Sequence, residues 1–285
     1  MEVIRAIYHG PNRDGQDVVM LAQCEGNGKT GDVVTLAIVP LPVWRAVKAA
    51  PQDVHGRAKA YFSAIKTHIS ASCGGCMLGK AQSKARKAMR LQACYAQLNY
   101  RCATAAATVI GKAPDTLPAY GIFDAETWTE LLQIAHLVGL RKIRSAMVGD
   151  LGMLPVDVAE LLIALAGGWQ WLGYTHQWFR SDHLRDTHQA STQGPWGAAD
   201  AAARRGWAVY HVKSGKDVTI DERFELCPAQ VGQILGVKGG CGPCPRQCNG
   251  RDRNMTYAID HGNGANMKAS PAAAVALERL SIAAT

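Results

Sequence analysis

A chain of 285 residues that is 48% hydrophobic can bury a sizeable core and does not need cross-links merely to fold. Its nine cysteines are an odd number, and the opening MEVIRAIYHG lacks the basic flank and apolar run of a secretory signal; both argue against a disulfide framework and for metal or redox chemistry in a cytoplasmic protein. No stretch approaches ~18 uninterrupted apolar residues, which excludes a membrane partner, while the formal net charge of +8 favours a polyanionic one, nucleic acid or nucleotide.

The first elements read as β. DVVMLAQCEG and GDVVTLAIVP are apolar and β-branched and are separated by the turn-rich GNGKTG, which predicts a hairpin. GNGKTG lacks the G-x4-G-K-[ST] spacing of a phosphate loop. A short helix, PVWRAVKAA, and a helical run, AKAYFSAIKTHI, follow. From Ser83 to about Ile110 the pattern is long, alanine-rich and helical. Lys80, Lys84, Arg86, Lys87 and Arg90 make a basic segment there, either a solvated helix face or a contact for phosphates. From Pro118 onward short apolar strands alternate with amphipathic helices. DAETWTELLQIAHLVG is a helix with Asp124 as N-cap, followed by strand-like IRSAMV and the helix VDVAELLIALAG. WLGYTH, THQAS, the helix WGAADAAARRG, WAVYHV, RFELC and MTYAID continue the alternation, and ASPAAAVALERLSIAA closes the chain as a helix.

Repeated strand–helix–strand units imply parallel neighbours, because parallel strands need crossover connections. The expected fold class is α/β: a parallel barrel or half-barrel with a helical, cysteine-bearing insertion and a Cys-rich C-terminal loop. A β-rich segment with a short helix is assigned to 1–70 and an α/β metal-binding domain to 71–285. Chemistry in such folds gathers at the carboxyl ends of strands. That rule selects Gly149 and Asp150, Tyr174 to Trp178, Gln189 and Ser191, His211, Cys227, and Asp260 with His261.

The cysteines fall into two groups. Cys227 with Cys241, Cys244 and Cys248 offers C-x2-C-x3-C spacing plus an upstream thiolate, enough for tetrahedral zinc or an iron–sulfur cube. Cys73, Cys76 and Cys94 make the second group. Cys102 lies eight residues beyond Cys94, about 12 Å along a continuous helix, whereas thiolates on one ion sit only about 4 Å apart, so Cys102 reads as a buried apolar cysteine. Three ligands leave a position open for reaction, unless Cys24 or a histidine such as His68 closes a structural zinc.

In order, Cys73-x2-Cys76, Cys94-Tyr-Ala, MVGDLGMLP, GYTHQW, GWAVYHV, Cys227-Pro-Ala and the three-cysteine loop resemble a family of uncharacterised phage and prophage proteins that is distantly similar to radical S-adenosylmethionine barrels. The resemblance runs from about Cys73 to His261. The radical-SAM C-x3-C-x2-C run is absent. What the resemblance implies is a cysteine-bound iron–sulfur cluster on a barrel, in a bacterial host's cytoplasm, with S-adenosylmethionine as a further candidate cofactor.

Gly173 to Trp178 ends a predicted strand with an imidazole, hydroxyls, an amide and two aromatic rings, groups that hold a planar base or orient a proton transfer. His176, Tyr174 and Asp150 are the candidate catalytic residues. Arg144, Gly149 and Gln177 are candidates for binding a cofactor or ligand, Gly149 through close backbone approach. The plain alternatives are a buried strand-end histidine and a turn-capping aspartate. His183 and His188 read equally as surface residues, and His261-Gly-Asn-Gly as a turn. Three functions follow: an iron–sulfur enzyme modifying a nucleotide or nucleic acid, a zinc-containing transglycosylase-like enzyme, or a noncatalytic zinc-stabilised nucleic-acid-binding protein.

Overall fold

The computed structural model of this chain describes residues 3–24, 33–73, 100–193, 196–213, 219, 221–227, 231, 248, 255–259 and 275. Cys76, Cys94, Cys241 and Cys244, the basic segment 80–90 and the stretch 260–264 lie outside the described residues, as does the side chain of Cys102.

Three antiparallel strands open the fold: β1 (Val3–Pro11), β2 (Asp17–Cys24) and β3 (Val34–Pro40). β2 and β3 form the hairpin their apolar runs predict, and β1 adds on the far side of β2. A two-residue strand, β4 (Ile122–Phe123), borders β1. β3 is the junction to the rest, because it pairs in parallel with β5 (Lys142–Arg144), which pairs in parallel with β6 (Gln170–Leu172). The chain then passes through Gly173 into β7 (Tyr174–Thr175). β7 begins a second, all-parallel sheet whose order is β7, β8 (Gln189–Gln193), β9 (Val209–Lys213), β11 (Met255–Ile259) and β10 (Glu225–Leu226). The architecture is a mixed α/β fold with a curled, half-barrel sheet.

Both faces of the first sheet are covered, which is why β2 and β3 read as continuous apolar runs rather than alternating ones. Ile4, Val19, Leu21, Ala37 and Val39 pack with α1 (Leu41–Lys48), α2 (Val54–Cys73) and α3 (Tyr100–Lys112). On the opposite face Val18, Met20, Leu36 and Ile38 pack with α4 (Ala125–Leu137) and α5 (Val156–Leu165). Asp124 caps α4 by accepting from the Thr127 N–H at 3.0 Å, as its sequence predicts. Trp128, fully buried, donates from Nε1 to the Leu162 carbonyl at 3.1 Å and ties α4 to α5. α6 (Trp196–Arg204) lays Ala199 and Ala202 into the same core as Val209, Leu226 and Tyr257 of the second sheet. Among the described residues no helix is long and apolar enough to cross a membrane.

β5 is shorter than the run IRSAMV suggests. After Arg144 the chain leaves β6 and follows β3, where Met147 N donates to Leu36 O at 2.7 Å and Ile38 N to Val148 O at 2.9 Å. Apolar residues serve a loop here because it is pressed onto a covered sheet. The loop ends at Gly149, which has φ +87°, and a Cβ there would stand 2.6 Å from the Ile38 carbonyl oxygen. The candidate ligand-binding Gly149 therefore has a structural reason to be glycine: it turns the chain so that Asp150 faces the strand ends. Gly149→Ala should lower the melting temperature by roughly 4–8 °C, from a strained φ plus a backbone clash; a melt unchanged within 1 °C, by the approximate scale of these effects, would show that this turn is not strained.

Candidate functional site

β8 is buried at every residue, yet its sequence is QASTQ. Alternation places Gln189, Ser191 and Gln193 on one face. The parallel register sets Tyr174 beside Gln189, Tyr210 beside Ser191 and Thr256 beside Tyr210, so these share that face. Tyr174 and Tyr210 meet with ring centroids 4.5 Å apart. The buried faces of a parallel sheet are ordinarily apolar. A buried polar face is costly unless its groups are paired, so it marks where the fold has kept chemistry.

At this edge three segments bring one residue each to a common point. Asp150 comes from the loop after β5, His176 from the residue that follows β7, and Ser191 from β8. Asp150 is buried, with Oδ1 accepting from Gly152 N at 2.9 Å and Oδ2 accepting from His176 N at 2.6 Å. The His176 Nδ1 atom lies 3.7 Å from Asp150 Oδ2, a charge contact longer than a direct hydrogen bond. Its Nε2 lies 3.2 Å from Ser191 Oγ, which also accepts from Gln193 Nε2 at 3.3 Å. In the tautomer that carries its hydrogen on Nδ1, toward a carboxylate that can only accept, Nε2 is left unprotonated. Nε2 is then the acceptor, and Ser191 donates to it. The order is Gln193 to Ser191 to His176 to Asp150, a relay poised to take a proton from a hydroxyl. A quarter of the His176 side chain is exposed, whereas Asp150 and Ser191 are buried.

Burial pushes the Asp150 carboxyl upward, but its contacts with His176 and Thr175 outweigh burial and hold it below the usual carboxylate range. Asp150 is therefore both the turn cap and the imidazole's partner.

The carboxyl end of α2 docks against this site. The last carbonyls of a helix lack intrahelical partners. Here Ala71 O accepts from Asn12 Nδ2 at 2.6 Å, Ser72 O from Asp150 N at 2.8 Å and Cys73 O from Gln177 Nε2 at 2.9 Å. Gln177 Oε1 in turn accepts from Arg180 Nε at 3.0 Å, and Arg180 pairs with Asp14 at 2.8 Å at the tip of the β1–β2 turn. Gln177, a candidate ligand-binding residue, thus holds Cys73 in place. Arg144 closes β5 and is half-buried. Tyr174 packs on a small cluster of Tyr210, Val212, Ala258 and Cys227. Gly173 N donates to Cys248 O at 3.1 Å. Cys227 thus belongs to the cluster on which Tyr174 packs, and the Cys248 carbonyl meets the preceding residue, Gly173. Cys24 is committed elsewhere: its thiol is buried, donates to Leu131 O at 3.7 Å, and is pushed up to about 11 by burial. Among the described residues no group of three or more His, Cys, Asp or Glu is placed to hold a metal ion.

The strand-end rule reaches Ser191 but not its pairing with His176, and it does not reach Gln193. Polar residues at alternate positions of a short buried strand are the signal that leads to both. No family model, curated protein or solved structure matches this chain, so what the fold and site define is a half-barrel with a polar relay at its carboxyl edge.

His188 differs from the surface position its sequence suggests. It is fully buried beneath Gly173, where a Cβ would stand 2.4 Å from its Cδ2 atom, and its Nδ1 meets Thr187 Oγ1 at 2.8 Å. Burial lowers its pKa to about 4. The unfolded imidazole takes its proton near 6.5, so between these values the unfolded chain binds more protons and folding weakens as pH falls. The loss is on the order of 3 kcal/mol, complete near pH 4 and absent above about pH 7. Urea melts at pH 7.5 and 4.5 should show this drop, and His188→Gln should flatten the dependence across that window. An equal drop in the variant would assign the acid sensitivity to other groups.

Proposed function

We propose that this chain is an enzyme that uses His176 as a general acid–base at the carboxyl edge of its half-barrel, acting on a nucleotide or nucleic acid beside a cysteine-held metal group. The observation that carries the enzymatic part is the ordered relay from Gln193 through Ser191 and His176 to Asp150. A merely structural histidine would need one partner. This one has a carboxylate behind it, a hydroxyl before it and an exposed edge.

The polyanionic substrate is supported by the +8 charge and by the aromatic and amide groups on the polar face, which suit a planar base. The metal is supported by the cysteine spacing, by the anchoring of Cys73 to Gln177 and by the contacts that bring Cys227 to the Tyr174 cluster and the Cys248 carbonyl to Gly173. The thiolate donor set fits iron–sulfur or zinc, and the commitment of Cys24 to Leu131 leaves the Cys73 group without that ligand. Cys73, Cys76 and Cys94 would hold one group, and Cys227, Cys241, Cys244 and Cys248 the other. An iron–sulfur cluster, the form the phage-family resemblance implies, would supply electron transfer or Lewis acidity. S-adenosylmethionine belongs to the same proposal. His176 moves the proton at Nε2, Asp150 fixes its orientation, and Tyr174 offers a stacking ring.

Anaerobic purification should give a brown protein containing iron and sulfide, whereas zinc alone would favour the transglycosylase-like or noncatalytic zinc protein. Cys244→Ser should lose about one site's metal, and unchanged metal content would overturn the C-terminal site. Incubation with nucleotides, RNA and DNA, followed by mass spectrometry, should find a product. His176→Gln should cut its formation by about 10²- to 10⁴-fold with metal content retained. Full turnover in that variant would sink the acid–base assignment.

A further inference from the structure

We infer that Ser191 is a nucleophile, activated by His176, that attacks an acyl carbonyl and forms a transient ester with the enzyme. The inference rests on the acid–base reading of His176 and does not involve the metal.

Three observations carry it. The first is order: Ser191 Oγ lies 3.2 Å from the Nε2 atom that the carboxylate behind the ring leaves as the acceptor. A serine hydroxyl is a weak nucleophile until an adjacent base takes its proton, and a base held by a third group is the arrangement that activates it. The second is the donor on the other side. Gln193 Nε2 is 3.3 Å from Ser191 Oγ and carries two N–H groups. A carbonyl carbon bonded to Oγ would place its oxygen about 2.3 Å from Oγ, within the sweep of that amide, so Gln193 can donate to the negative oxygen as it forms. The third is placement. Ser191 lies within β8, His176 directly follows β7, the strand paired with it, and Asp150 is fixed in the loop after β5 by main-chain hydrogen bonds from Gly152 and His176, so their spacing is held.

The step balances within the site. Oγ forms a bond to the carbonyl carbon while its proton passes to His176 Nε2, and the imidazolium is stabilised by Asp150. The tetrahedral oxyanion collapses, the bond to the leaving oxygen or nitrogen breaks, and His176 returns the proton to that atom. Water, deprotonated by the same nitrogen, then attacks the ester carbon; the bond to Oγ breaks, Oγ takes the proton back from His176, and the acid is released. The substrate class is an ester or amide, and the only co-reactant is water. The half-exposed ring of Tyr174, on the same face, lies where a planar substituent of such a substrate could stack.

A fluorophosphonate probe tests this without knowledge of the natural substrate, because it phosphonylates only a serine whose proton is removed. The holoprotein should take up one adduct, mapped by peptide mass spectrometry to the segment around Ser191, and Ser191→Ala should take up none there. His176→Gln, which keeps a hydrogen-bonding amide beside Oγ, should label at least about 10²-fold more slowly. Circular dichroism and metal content of each variant establish that it is folded. No adduct at Ser191 in the folded holoprotein overturns the nucleophile, and loss of turnover in His176→Gln would then leave the acid–base reading standing. Labelling of Ser191 at equal rates with and without the imidazole overturns activation by His176 and counts against both readings.

Discussion

The site is organised by one buried carboxylate. Asp150 accepts the main-chain N–H groups of Gly152 and His176 and faces the His176 ring, so a single side chain fastens the loop after β5 to the residue that ends β7. A carboxylate taken out of water must be compensated on all sides, and removing a partner from such a buried contact typically costs about 3–5 kcal/mol. The requirement works in both directions. The fold brings the His176 main chain to Asp150, and the ring is thereby placed between the carboxylate and Ser191.

The capping of α2 extends the same constraint. Its last carbonyls are orphans by the geometry of a helix, and the partners they find are Asn12 from the first turn, the amide of Asp150 and the side chain of Gln177. The helix end, the β1–β2 turn and the strand-end loops are thus joined by hydrogen bonds that none of them can make alone. Cys73 inherits its position from this joint. The helix carboxyl end is also the negative pole of the macrodipole, which favours a positive group in its vicinity.

Much of the architecture is legible in the sequence because it is local. Asp124 capping α4, the hairpin of β2 and β3, and the strand–helix alternation after Pro118 each follow from patterns a few residues long. β5 is less so: Met147 and Val148 are apolar because they lie on β3, which is a fact about tertiary packing rather than strand length. His176, Tyr174 and Asp150 could be selected from the strand-end rule, since the alternation fixes which segments carry loops at that edge. The relay could not, because it depends on β7 and β8 being neighbours and on which face Ser191 takes. His188 misleads for a related reason: a polar context in sequence hides a residue that Gly173 allows to be buried.

β8 has a consequence for how the chain acquires its structure. A segment reading QASTQ has no apolar periodicity and little intrinsic preference to extend, so it cannot nucleate a sheet. It must be templated by β7 and β9, whose outer sides are already secured by Trp171, Trp207 and Val209 in the main core. Parallel pairing across a crossover is slow because the loop must close before the contacts reward it. The strand that carries the hydroxyl is therefore held by its neighbours, and its side chains are bound to the fold: all are buried, Ala190 lies in the main core and Ser191 is paired on both sides. A change in any of its five residues is consequently felt in the sheet as well as at the relay, so chemistry and architecture are written in the same short segment.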